Sequence, residues 1–128
     1  MASRVVPTQS LYFPKRKPAK SKDYLAFLHR LPCIITRQYG VEAAHLSMRA
    51  PMYGHYGRGR STKAPDRWAL PLCSGEHARQ HDLGEEAFWD SVGINPHLAC
   101  LVLWGLFAAD GDAAEEQCVS LIQAGVGR

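Results

Sequence analysis

Residues 68–84 read WALPLCSGEHARQHDLG, and here a strand pattern passes directly into a helix pattern. Residues 68–72 are a strand candidate, in which Trp68, Leu70 and Leu72 would lie on one face. Ser74 is a residue type that caps helices, and Gly84 is a suitable stop for the helix that follows. We therefore predict a strand at 68–72 that leads at once into a helix at 75–83.

Two histidines of this helix, His77 and His81, are four residues apart and lie on one face. A rigid pair of imidazoles is a common way to hold a divalent metal, although solvated histidines also occur at this spacing. Upstream, residues 41–45 form a second strand candidate that ends at His45. A hairpin of the two strands would bring three imidazoles from distant segments towards one place.

The rest of the chain reads mainly as helix. Ser21 is placed to cap a helix at residues 22–30, after a proline-rich and basic stretch at 1–20 that we expect to be a flexible arm. Residues 21–128 are expected to form a single domain of the α+β class, with a helical extension at about 95–125. Its remaining helices are predicted at 85–92, 96–109 and 112–124.

The charge of this 128-residue chain is divided unevenly. Up to Leu70 there are thirteen lysines and arginines against three acids, and from Pro71 onward two against nine. The basic half would attract a polyanion. The longest apolar stretch, 98–109, is too short to span a membrane, and four cysteines without a secretory signal suggest a reducing, cytoplasmic location.

The long segment between the two strands carries cations interleaved with aromatic residues. Such a composition suits contact with DNA phosphates and bases, although a mobile surface loop is the alternative. The cations are Arg49, Arg58, Arg60, Lys63 and Arg67, and the residues between them include Tyr53, His55 and Tyr56.

Several motifs in this order resemble phage and prophage HNH endonucleases, over roughly residues 24–101. They are LPC at 31–33, VEAAHL at 41–46, GRG at 57–59, KAPDRWALPLC at 63–73, the two helix histidines, GE at 84–85, FW at 88–89 and GINP at 93–96. The resemblance implies a ββα-metal fold (HNH, treble-clef-like): a short β-hairpin and a helix, with an N-terminal helix and additional C-terminal helices. It also implies hydrolysis of DNA.

The resemblance assigns roles to four residues. His45 matches the general base, and His77 and His81 match the positions that hold a divalent ion such as Mg, Mn, Ni or Zn. Asp66 matches a position that braces the hairpin loop or orients the base, and a plain turn residue is the alternative. Because Ala44 stands where many relatives have a further ligand, His45 is either the base or a third metal ligand.

A structural zinc site found in relatives is incomplete here. Relatives carry two ligand pairs, whereas this chain has Cys33 with Thr36 and Cys73 with Glu76. Since a structural zinc normally has four nitrogen or sulfur donors, we predict that this zinc is absent. Cys33 and Cys73 are then expected to lie close together as buried, reduced thiols.

Three functions compete on this basis. The first is a metal-dependent DNA endonuclease with DNA as its partner and no membrane association. The second is a catalytically inactive nucleic-acid-binding module of the same fold, and the third is a small helical interaction protein. The apolar C-terminal helices are expected to pack on the core or to form a homodimer interface.

Overall fold

The computed structural model describes residues 20–57 and 64–128, where the chain is of the α+β class. The predicted arm therefore lies outside the described residues, apart from Lys20. The regular elements are α1 (Lys22–Leu28), β1 (Glu42–His45), β2 (Ala69–Leu72), α2 (Ser74–Leu83), α3 (Glu85–Val92), α4 (Pro96–Asp110) and α5 (Glu115–Gln123). Short 3-10 turns lie at Pro51–Tyr53, Asp66–Trp68 and Gly111–Ala114.

The two strands form an antiparallel pair. Glu42 is opposite Leu72, and His45 is opposite Ala69. All four residues of β2 are buried. The strand begins one residue later than predicted, because Trp68 belongs to the preceding 3-10 turn. Helices α1, α2 and α4 all pack on β2.

Two helices begin with a side-chain cap, and one of these caps, Ser21, was predicted above. The Ser21 side chain accepts a hydrogen bond from the backbone of Tyr24 at the start of α1, and Asn95 does the same for Leu98 at the start of α4. Ser74 is not a cap, because the capping position is taken by Cys73 and Ser74 is already helical. The predicted boundary of this helix is thus wrong by one residue.

Helix α4 packs on α1 through aromatic residues. The Tyr24 ring lies 4.9 Å from that of Trp104, and the Phe27 ring lies 4.8 Å from that of Phe107, between ring centroids. This contact agrees with the first of the two roles expected for the C-terminal helices. Leu98 and Leu101 remain exposed, and the homodimer stays a prediction.

The segment Pro96–Gln123 has the length and hydropathy of a membrane span. The 3-10 turn at Gly111–Ala114 divides it, and α4 covers 15 residues. A transmembrane helix needs about 20 residues, so neither helix alone is long enough. The absence of membrane association and the cellular compartment both stay predictions.

Candidate active site

His45, at the end of β1, is paired with a carboxylate. Its Nε2 lies 2.7 Å from Oδ1 of Asp66, and both side chains are largely enclosed. An ionised carboxylate only accepts hydrogen bonds, so Nε2 carries the proton and donates it. The other ring nitrogen, Nδ1, then has its lone pair available to take a proton.

The second oxygen of the same carboxylate is also occupied. Asp66 Oδ2 accepts a hydrogen bond from the backbone N–H of Ser21 at 2.6 Å. The carboxylate therefore joins the start of α1 to the end of β1, across the turn that precedes β2. The bond from His45 to Asp66 is of the kind that would orient the His45 ring. With two long-range hydrogen bonds, Asp66 does more than a plain turn residue would.

Helix α2 carries the predicted histidine pair. The imidazole rings of His77 and His81 have centroids 5.0 Å apart, as expected one turn apart on one helix face. Nδ1 of His77 lies 2.7 Å from Oε1 of Glu42, at the start of β1. Two imidazole rings that could serve as metal ligands, and a nearby carboxylate, thus lie between helix α2 and the hairpin.

The three predicted imidazoles do not form one cluster in the structure. Across residues 20–57 and 64–128, no group of three or more His, Cys, Asp or Glu side chains is arranged to hold a metal. His77 and His81 lie together, whereas His45 is turned towards Asp66. Of its two readings, base or ligand, this geometry favours the base.

A glutamate at the start of α3 holds the chain that follows His45. Both carboxylate oxygens of Glu85 accept the backbone N–H of Ser47, at 3.0 and 2.9 Å, and Oε1 also accepts that of Met48 at 2.6 Å. Backbone groups that leave a strand need new partners. Glu85 supplies them and fixes the direction in which the chain leaves β1.

Two buried histidines hold the beginning of the long segment. His55 is fully buried, with Nε2 bonded to the Leu46 carbonyl at 2.6 Å and Nδ1 accepting the N–H of Gly57. Nε2 of His97 on α4 bonds to the Met48 carbonyl at 2.6 Å. The prediction that His55 contacts DNA is wrong, because a ring enclosed in the core is not available to a base.

The predicted DNA-binding cations are described only in part. Arg49 is exposed and Arg67 is half-buried, and neither forms a salt bridge with an acid in the described ranges. Tyr56 is 72% exposed and remains available for stacking. The other three cations, Arg58, Arg60 and Lys63, lie outside the described residues.

The cysteine turn has the hydrogen bonds of a metal knuckle. The Cys33 sulfur accepts the backbone N–H of Ile35 and of Thr36, each at 3.4 Å. Burial would raise the pKa of the Cys33 thiol, but these donors outweigh it and lower that pKa. Both Cys33 and Cys73 are free thiols, and their expected proximity stays a prediction. Cys73 is only half-buried, which corrects the expectation that both are enclosed.

Glu42 and Glu85 belong to the motifs of the resemblance, yet the sequence predicts no role for either. For Glu42, the signal that could have indicated a functional role was a charged residue next to the apolar residues of a strand. For Glu85, the signal was an acid immediately after a helix-stopping glycine. Neither signal names the partner, which lies 35 or more residues away in the chain.

Comparison with known proteins gives a family but no activity. The family model described as "Protein of unknown function (DUF968)" matches residues 4–104. The match covers the hairpin, helices α1, α2 and α3 and the first part of α4. No curated protein and no solved structure matches the chain.

Proposed function

We propose that this chain, which belongs to the DUF968 family, is a metal-dependent endonuclease that hydrolyses DNA. The description of the family states no function, so the proposal rests on the site. One observation carries the proposal. The hairpin that holds the His45–Asp66 pair leads directly into the helix that holds His77 and His81. The order β1, β2, α2 is that of a ββα-metal core, and we include this finer fold in the proposal.

His45 serves as the general base in this mechanism. Its Nδ1 takes a proton from the water that attacks the phosphorus atom, because Nε2 already donates to Asp66. The Asp66 carboxylate holds the ring in this tautomer and stabilises the imidazolium that forms. An imidazole suits this step since its ordinary pKa is near neutrality.

His77 and His81 are the residues that would hold the divalent ion. Two imidazoles on one rigid helix fit such an ion, with the remaining positions left to water and phosphate oxygens. When bound, the ion supplies Lewis-acid stabilisation of the charge that develops on the phosphate and leaving oxygen. Ala44 has no side-chain atom that could coordinate the ion, so the protein ligands in this proposal are His77 and His81.

Several cations are chain neighbours of the residues around the His45–Asp66 pair. Ser21, which donates to Asp66, lies between the exposed Lys20 and Lys22, and Arg67 follows Asp66 in the chain. Lysine and arginine at such positions would bind the DNA backbone without reading its sequence. We therefore expect weak sequence preference and a strong dependence of binding on salt.

Nicking of supercoiled plasmid tests the proposal, with Mg, Mn, Ni and Zn supplied separately to the full chain. We expect cutting that requires a divalent ion and is lost in His45→Ala and in His77→Ala. His29→Ala is the matched control, because His29 is exposed at the end of α1 and, within the described residues, its ring bonds only to the Leu25 carbonyl of that helix. This control variant should cut at the parent rate.

The result also separates the competing function. If the parent does not cut with any of the four ions, while DNA binding survives both substitutions, the protein is a nucleic-acid-binding module and the endonuclease proposal fails. Equal loss in the His29→Ala control would show that the substitutions act through folding. Circular dichroism of each variant resolves that case.

A further inference from the structure

Glu42 is placed by the strand register to meet the histidine pair. It is opposite Leu72, the last residue of β2, and α2 begins two residues later at Ser74. The first turn of that helix returns towards the start of β1, which brings His77 within 2.7 Å of the Glu42 carboxylate. The contact thus follows from the hairpin and the short connection between β2 and α2.

The chemistry of this contact selects one nitrogen of His77. The Glu42 carboxylate can only accept when ionised, so Nδ1 carries the proton and Nε2 presents a lone pair. In metal sites, a ligating histidine usually donates its other N–H to a carboxylate, which fixes the tautomer and the ring orientation. The His77 side chain already has half of this arrangement.

We propose that Glu42 is a positioning residue, which holds His77 as the Nδ1–H tautomer and so prepares Nε2 to bind a divalent ion. The proposal rests on the function proposed above, since it names the support of the same metal site. The Glu42 side chain is 53% exposed and His77 is 24% exposed, so the pair lies at the surface, where an ion has access. A carboxylate with half its surface in water does not need His77 for its own burial, which argues against a purely structural bond.

The tautomer of His77 gives a test that needs no metal. Nitrogen-15 NMR of the parent should show His77 with its proton on Nδ1, with the His81 ring as the internal comparison. Glu42→Gln keeps an oxygen that accepts from Nδ1 and should preserve this state, whereas Glu42→Ala should shift His77 towards the Nε2–H form. An unchanged His77 tautomer in Glu42→Ala would overturn the proposal.

Titration of the metal-free protein with Ni²⁺ tests the consequence for binding. We expect Glu42→Ala to raise the dissociation constant about 10- to 100-fold, with much of the affinity kept in Glu42→Gln. Asp90→Ala, an exposed acid on α3, is the control and should bind like the parent. If Glu42→Gln loses as much as Glu42→Ala, the carboxylate is itself a ligand and the positioning role is wrong.

The two proposals fail in different ways. A parent that binds Ni²⁺ and responds to Glu42→Ala, yet cuts no plasmid, supports the role of Glu42 and contradicts the endonuclease. A parent that cuts plasmid with an unchanged affinity in Glu42→Ala does the opposite. A parent that binds no divalent ion overturns both.

Discussion

Asp66 Oδ1 lies 2.7 Å from His45 Nε2, while its other oxygen holds the backbone of Ser21. The proposed general base is therefore oriented by a carboxylate that is itself fixed at both oxygens. Such a carboxylate cannot turn away from the ring without the loss of a second bond. The orientation of His45 is for this reason a property of the fold, present before any substrate binds.

Removal of this carboxylate should lower cutting without abolishing it. We expect Asp66→Ala to reduce the plasmid nicking rate about 10- to 100-fold, since the His45 ring loses its orientation. Any residual cutting in a His45→Ala background should fall little further on the same change, because residues that act as a unit are not additive. Initial rates for the two single variants and the double variant measure this.

Asp23→Ala is the control for that series, because Asp23 is an exposed acid on α1. It should cut like the parent. Equal rates for Asp66→Ala and the parent would show that the carboxylate does not assist His45.

Glu85 should control the local stability of the chain after β1. Glu85→Ala leaves the N–H groups of Ser47 and Met48 without their acceptor, at a cost of about 1–3 kcal/mol if they stay buried. Hydrogen exchange at these two amides should become faster. Glu86→Ala, at the exposed neighbouring position, should leave both exchange rates unchanged, and a similar effect of the two variants would refute the assignment.

The cysteine turn should accept zinc once its missing ligands are restored. We expect the parent to carry no tightly bound zinc, and the double variant Thr36→Cys, Glu76→His to bind about one ion per chain, because the hydrogen bonds at Cys33 already have the form of a knuckle. Metal analysis after dialysis measures this. Addition of Cys33→Ser should remove the ion, and stoichiometric zinc in the parent would contradict the prediction.

His97 should make stability depend on pH. Burial lowers the pKa of His97, and the neighbouring His55 lowers it further, against the opposing effect of the bond to the Met48 carbonyl. The unfolded chain, with an ordinary histidine pKa of about 6.5, then binds the proton more readily. The stability from neutral His97 is therefore complete above that pH and is lost as pH falls through the lowered pKa, with a slope of up to about 1.4 kcal/mol per pH unit.

Urea unfolding of the parent and of His97→Gln between pH 5 and 8 isolates this contribution. Glutamine keeps a donor for the Met48 carbonyl but does not titrate. The parent should lose more stability than the variant on acidification. Parallel curves would show that His97 is not the responsible group.

Most regular elements could be predicted because their signals are local. Ser21 and Asn95 cap their helices through bonds that span three residues, and Gly93 ends α3 in the left-handed region that glycine favours. The error at the start of α2 was also local, because Cys73 and not Ser74 occupies the capping position. The burial of all four residues of β2 depends on the helices that pack on it, which is a tertiary effect.

The partners of the site residues could not be predicted in this way. Three hydrogen bonds of the site join residues that are far apart in the chain. The separation is 21 positions for His45 and Asp66, 35 for His77 and Glu42, and 49 for Met48 and His97. From the sequence alone, the imidazoles and carboxylates could be identified, and the helix that carries His77 and His81 could be predicted. The register of β1 against β2 and the packing of the helices select which acid meets which ring, because both depend on contacts that a linear pattern does not contain.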